Sequence, residues 1–136
     1  MADTRLMYFY GSLRPGEYNY SRFCLDRMAD IVADDVVVPG AMYSYHDAYP
    51  VVNFNRKGEV RGTILRVDDY VAEMIDGMER GAGYNPLKLE IKHGDHTIYP
   101  VTYHWPGSTK KHVAIPDGNW PKHNRVLEAE YARSRR

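Results

Sequence analysis

An early and abrupt stop governs how this chain can be read. The run RLMYFY, Arg5 to Tyr10, has the brevity and aromatic bias of a buried β-strand, and it meets GSLRPG, Gly11 to Gly16, without a transition. A strand that runs into two glycines and a proline is either turning a corner or showing its backbone to something. As a corner, the segment needs only Pro15 and Gly16 at turn positions. As a binding loop, it offers consecutive backbone N–H groups on small residues, which can converge on an anion or a polarised carbonyl. It is neither a dinucleotide fingerprint nor a phosphate loop, since the glycine spacing of the first and the Gly-Lys-Ser/Thr ending of the second are both missing.

The rest of the chain supplies more strands than helices. SRFCLDRMADIV places Phe23, Leu25, Met28 and Ala29 at helical spacing and predicts a short helix. DDVVVPGAMYSY opens on a β-branched run that Pro39-Gly40 is expected to kink or bulge rather than end. EVRGTILRV alternates as a strand, with Gly62 marking a close backbone approach. DDYVAEMIDGMERG is the clearest helix: Asp68 or Asp69 suits its N-cap, Val71, Met74, Ile75 and Met78 form its apolar stripe, and Gly81 or Gly83 ends it. LKLEIKHGDHTIYPVTYHW reads as two strands joined by a two-residue turn at Gly94-Asp95. NRVLEAEYARSRR reads as a terminal helix fraying into a basic tail. Such an order lacks the regular alternation of a doubly wound sheet. It predicts an α+β fold, a small mixed or antiparallel partial β-barrel with a few short helices.

Totals exclude several function classes. A length of 136 residues fits one domain, residues 1–136, with a single sizeable core. Eighteen Lys and Arg balance eighteen Asp and Glu, so no global field favours nucleic acid or an anionic membrane. The KKH and RSRR runs are short, lack interleaved aromatics and read as solvated surface. Cys24 is the only cysteine, which leaves no disulfide and no thiolate metal framework. No apolar run reaches membrane-spanning length and the N-terminal segment has no signal-peptide core, so a cytoplasmic location is expected. Tyr is unusually abundant against Phe, twelve to three; its apolar body and hydroxyl tip suit a half-wet cavity as well as a solvated strand face.

Three features can carry chemistry. Glu79 lies one turn after Ile75 and flanks the apolar stripe of its helix, either at the core rim or in an adjoining cavity. In a cavity, desolvation would raise its pKa into the range of general acid–base work; at the rim it is a surface carboxylate. Asp76, one turn before Arg80, reads as an i, i+4 ion pair or a loop cap. Ser12 is a candidate nucleophile, yet Tyr-Gly-Ser-Leu-Arg is not the Gly-x-Ser-x-Gly elbow and no histidine is tied to it by spacing. His93 and His96 flank the hairpin turn, but two ligands without a third make a poor zinc site. Neither metal nor cofactor is expected.

In combination these segments resemble the γ-glutamylcyclotransferase-like, or AIG2-like, family. YGSLRPG (Tyr10–Gly16) is similar to its loop after the first strand, and VPGAMYSYHDAYP (Val38–Pro50) to its glycine-containing strand and following Tyr-Pro. VRGTILRVDD (Val60–Asp69) corresponds to the strand before the key helix, and IDGMERGAGY (Ile75–Tyr84) to an Asp-x-x-Glu…Tyr signature. VTYHW and IPDGNW are similar to its late strand and closing Gly-x-Trp segment. The match runs in order along nearly the whole chain.

The resemblance implies a small barrel-like α+β domain whose cavity forms where the loop meets the Glu-bearing helix. By resemblance, Glu79 is the acid–base residue. Gly11, Ser12 and Leu13 hold substrate through loop backbone, Tyr10 shapes the cavity, and Tyr84 and Tyr103 are aromatic positions near the site. The implied partner is a small γ-glutamyl substrate, cyclised to 5-oxoproline with release of an amine. Many members carry an Arg soon after the tyrosine that follows the glutamate. Here Tyr84 is followed by Asn85-Pro86, which bears on the leaving-group side of the pocket and not on Glu79. Two other readings remain at this point: a non-catalytic binding module of the same fold, and a hydrolase using Ser12.

Overall fold

A computed structural model describes residues 3–134, so the last two arginines of the basic tail lie outside the described residues. In chain order the elements are β1 (Thr4–Phe9), α1 (Tyr18–Arg22), α2 (Leu25–Met28), β2 (Ala29–Pro39), β3 (Ala41–Tyr45) and β4 (Tyr49–Asn53). There follow β5 (Glu59–Asp68), α3 (Asp69–Gly81), β6 (Asn85–Lys88), β7 (Ile91–His93), β8 (His96–Ile98), β9 (Val101–His104), β10 (Val113–Ile115) and α4 (Trp120–Ser134). The fold is α+β, and its sheets do not close.

The main sheet has the order β2-β5-β1-β9-β6 and is mixed. β1 pairs antiparallel with β5 but parallel with β9. A second sheet, β10-β3-β4, is antiparallel, and β7-β8 forms a separate ribbon. β1 therefore lies inside the main sheet, which is why its Met7, Tyr8 and Phe9 are all buried rather than alternating with polar residues. Gly62 has the close approach expected of it: a Cβ there would stand 2.4 Å from Cζ of Tyr8 and 2.6 Å from the Phe9 carbonyl oxygen. Tyr8 fills that space, and its hydroxyl donates to the carbonyls of Val36 at 2.8 Å and Val60 at 3.0 Å.

Three expectations need correction. The first helix is split: Cys24 takes a left-handed φ of 58° between α1 and α2, and Ala29 already belongs to β2. Pro39-Gly40 does end its strand and delivers the chain to the other sheet as β3. The long hairpin is four strands, not two. β7 and β8 join at Gly94-Asp95 as expected, but Pro100 has no N–H to continue the ladder, and beyond it β6 and β9 pair within the main sheet.

Helix α3 starts as its sequence predicts, with the Asp68 carboxylate accepting from the N–H groups of Tyr70 and Val71. It ends at Gly81, and Gly83 follows with a φ of 99° that favours glycine. Its buried face is rotated from the expected stripe. Val71, Ala72 and Ile75 are buried while Met74 is 50% exposed. The inward line Ala72–Ile75 continues, at helical spacing, to Glu79.

Candidate active site

The C-terminal end of β1, the end of α3 and the start of β4 enclose a cavity of about 290 Å³. The residues expected to bind or transform a substrate line it: Tyr10, Gly11, Ser12 and Leu13 from the loop, Glu79 from α3, Tyr84 just before β6 and Tyr103 from β9, whereas Asp76, His93 and His96 do not. Among the described residues Glu79 is the only carboxylate in the lining, and no Lys, Arg or His side chain contributes to it.

Glu79 is half-buried, and among the described residues its carboxylate has no hydrogen-bond or ion-pair partner. Burial therefore acts unopposed and pushes its pKa up to about 7. Its surroundings are three tyrosines whose own ionisation is suppressed. Burial holds the Tyr10 phenol well above its usual range, with the neighbouring Tyr84 and Glu79 adding to the effect. Tyr84 and Tyr103 are raised in the same way, burial first, with Glu79 among the charges that reinforce it. All three remain neutral phenols around a carboxyl group that titrates near neutrality.

Those phenols are spent on building the wall. Tyr10 donates to the carbonyl of Tyr103 at 2.6 Å, Tyr84 to that of Pro50 at 2.5 Å, and Tyr103 to Asp76 Oδ1 at 2.9 Å. Asp76 also accepts from Arg80 Nε at 2.7 Å, which is the expected i, i+4 pair. Burial raises the Asp76 pKa, but the bonds from Arg80 and Tyr103 outweigh it and the net shift is downward.

The loop lines the same cavity as Glu79. Among the described residues, nothing accepts from the N–H groups of Gly11, Ser12 or Leu13. The carbonyls on the same segment are used: Gly11 O accepts from Arg14 N–H at 3.2 Å and Ser12 O from Asn19 N–H at 2.8 Å. The Ser12 hydroxyl is held by Asn19 Nδ2 at 2.7 Å, and no histidine approaches it among the described residues. A Cβ at position 11 would stand 3.1 Å from Cγ of Pro50, a tight contact that would press on the proline ring. The loop that lines the cavity thus carries unpaired donors at Gly11, Ser12 and Leu13 while the Gly11 and Ser12 carbonyls are engaged.

Asn19, Thr102 and Tyr49 line the cavity without having been singled out from the sequence. Asn19 Oδ1 and Thr102 Oγ1 are buried polar atoms without a protein partner. Asn19 lies between the loop and the stretch read as a helix, where no motif marks it; Thr102 is one polar residue among alternating β9 positions. Tyr49 was quoted only within a longer segment, yet it lines the cavity beside Pro50. Pro86, where an Arg was usual, lies on the edge strand β6, where its missing N–H disturbs no inner ladder. Among the described residues no three His, Cys, Asp or Glu side chains form a metal-holding group, and no helix is long and apolar enough to cross a membrane.

Residues 7–122 match the protein family described as Gamma-glutamyl cyclotransferase, AIG2-like. No curated protein matches the sequence. Among solved structures, YkqA from Bacillus subtilis is similar with a TM-score of 0.73 and 18% identity over 93% of this chain. This chain spans only 43% of YkqA. An uncharacterized protein from Pyrococcus horikoshii gives a TM-score of 0.73 at 22% identity, covering 93% of this chain and 97% of its own. An AIG2-like protein from Mus musculus gives 0.63 at 15% identity, covering 79% of this chain and 81% of its own. At such identities the structural likeness concerns the fold.

Proposed function

The chain belongs to the gamma-glutamyl cyclotransferase, AIG2-like family, and from that premise we propose that it is a γ-glutamyl or γ-glutamylamine cyclotransferase. One observation carries the reading beyond family membership: the solitary Glu79 carboxyl group, with a pKa near 7, lines one cavity with a loop whose three N–H groups are unpaired. A pure binding site gains little from a desolvated carboxylate with no partner.

In the proposed reaction the α-amino nitrogen of a γ-glutamyl amide attacks its own γ-carbonyl carbon. The new C–N bond closes the five-membered ring of 5-oxoproline, and the old amide C–N bond breaks. Glu79 accepts the proton that the α-ammonium loses before attack and returns it to the departing nitrogen. The second proton, shed by the ring nitrogen after attack, passes through the same carboxylate to the amine. The amine leaves as an ammonium ion, so the carboxylate is regenerated. The pKa near 7 suits both steps. Loop N–H groups hold the α-carboxylate and the oxygen on which negative charge develops, in place of any cationic side chain. Asn19 Oδ1 is an unused acceptor for the α-ammonium. Attack is intramolecular, so holding the chain curled supplies much of the acceleration.

The test is mass-spectrometric detection of 5-oxoproline from purified protein given γ-glutamyl dipeptides, γ-glutamyl amines and glutathione, with Glu79→Gln in parallel. We expect Glu79-dependent product. Silence from folded protein across the panel would instead favour a binding module of this fold.

A further inference from the structure

We infer that the leaving-group side of the cavity takes an uncharged aromatic or apolar amine, selected by the ring of Tyr49, so that the substrates are γ-glutamyl amides of such amines rather than of amino acids or carboxylate-ended peptides. The inference rests on the cyclotransferase reading and names its substrate class.

Two independent observations support it. The first is the charge census. A γ-glutamyl substrate already brings one α-carboxylate, which the loop N–H groups can take. A leaving group that is itself an amino acid brings a second, and among the described residues the lining offers it no cation: no Lys, Arg or His, only the unpaired Thr102 hydroxyl, and one carboxylate, Glu79, that would repel it. Arg80 is the cation closest in sequence to Glu79, but it is paired with Asp76 and lines no part of the cavity. Lys110 and Lys111 are exposed and also absent from the lining.

The second is the wall that remains once the loop and Glu79 are assigned. It is largely apolar, with Pro50, Met78 and Ala82 beside the rings of Tyr49 and Tyr84, and Thr102 Oγ1 as a single unpaired hydroxyl. Tyr49 is braced by a closed circuit of rings. It stacks on Tyr45 with centroids 4.8 Å apart and planes within 10°. Tyr45 meets Trp105 at 5.2 Å, Trp105 meets Tyr84 at 5.4 Å, and Tyr84 returns to Tyr49 at 6.1 Å. Four rings from three parts of the chain thus hold one another rigid at the cavity edge. Such a surface receives a planar or aliphatic group at little cost in ordering, and the flexible thioether of Met78 adapts to its shape.

Matched substrates test this directly. γ-Glutamyl-phenethylamide and γ-glutamyl-phenylalanine differ only in the second carboxylate, and γ-glutamyl-ethylamide lacks only the ring. For the wild-type protein we expect kcat/KM for 5-oxoproline release to be higher for the phenethylamide than for the phenylalanine conjugate by roughly 100-fold, the scale set by an unpaired buried carboxylate. In Tyr49→Ser the phenethylamide-to-ethylamide ratio should fall at least roughly fivefold, as expected for a lost apolar contact. Tyr49→Leu, which keeps bulk, provides the same comparison if the serine variant does not fold. Equal turnover of the matched pair, or preference for the phenylalanine conjugate, overturns the inference while the cyclotransferase reading stands. If no substrate turns over but the phenethylamide still raises the melting temperature more for wild type than for the Tyr49 variant, the reaction is wrong and the aromatic subsite survives. Silence without such a shift overturns both.

Discussion

Helix α3 carries two carboxylates one turn apart into opposite surroundings. On its flank, Asp76 accepts from Arg80 and from the Tyr103 hydroxyl, and its pKa is lowered. At the cavity, Glu79 has neither cation nor donor, and its pKa is raised to about 7. The Glu79 carboxyl group lies deeper than that of Asp76, so burial and the lack of a partner act together on it, whereas at Asp76 the bonds outweigh a weaker burial. Asp76 is tied into a chain that runs through Tyr103 to the Tyr10 hydroxyl, and so it stiffens the wall. Glu79 is left with a free energy of ionisation that any arriving amine changes. The difference separates a carboxylate that holds the fold from one that is available for chemistry.

The strongest way to break this contrast is to neutralise the unpaired member. Glu79→Gln is expected to lower kcat/KM for 5-oxoproline release by about 10³-fold, within the usual range for a lost general acid–base. The melting temperature at pH 8 should hold or rise, because a desolvated charge has been removed. Activity within about tenfold of wild type, roughly 1.4 kcal/mol in the barrier, would show that Glu79 is not the proton-transfer group.

Titration sharpens the same contrast. Activity should fall as pH drops below about 7 and Glu79 takes up its proton. Stability responds in the other direction. Between the ordinary value of 4.5 and the folded value of about 7, the native state binds a proton that the unfolded chain does not. The stabilisation from that proton is complete below 4.5 and is lost as pH rises to about 7, a change on the order of 1–3 kcal/mol after allowance for partial solvation. Asp76 has the opposite sign: its lowered pKa stabilises the fold above the ordinary aspartate range and the contribution disappears on acidification. Denaturant melts from pH 4.5 to 8 on wild type and Glu79→Gln should differ by that falling slope. Parallel curves would mean that Glu79 is solvated in the native state.

Much of this was legible in the sequence, and the parts that were not share a physical cause. The N-cap of α3 and the turn at Gly94-Asp95 are local, and a few neighbouring residues determine them; Gly62 announced a close approach but not that Tyr8 would make it. Met74 misled because a helical wheel gives spacing but not the direction of the core; Ala72, too small to stand out, marks the inward line that leads to Glu79. The split of the first helix at Cys24 and the division of the hairpin at Pro100 depend on which sheet each strand joins, and no local window contains that. The residues of the cavity that escaped notice, Asn19, Tyr49 and Thr102, are brought together from three distant segments.

A smaller effect is expected on the paired side of the comparison. Asp76→Ala removes the acceptor of Tyr103 and the partner of Arg80, which should cost about 1–2 kcal/mol of stability and lower kcat/KM about tenfold or less. The loss reaches the reaction only through the position of the Tyr103 wall, so the pH profile of activity should keep its inflection near 7. Urea melts and pH–rate profiles read the two effects separately. A loss as large as that of Glu79→Gln, with a moved inflection, would mean that the two carboxylates titrate as a pair and that their surroundings are not independent.

The smallest effect concerns the loop that lines the same cavity as Glu79. Ser12→Ala removes a hydroxyl that accepts from Asn19 Nδ2 but leaves the backbone in place, with the Ser12 carbonyl still receiving the Asn19 N–H at 2.8 Å. If the loop works through its unpaired amides, kcat/KM should fall only about two- to fivefold, less than 1 kcal/mol in the barrier, from looser positioning of the Asn19 amide. The same kinetic assay checks it. A fall of about 10³-fold would instead identify the hydroxyl as a nucleophile, and Glu79 would then have to be its base rather than the base of the substrate amine. Ser12→Ala and Glu79→Gln together therefore decide whether the cavity wall supplies the attacking atom or only holds a substrate that attacks itself.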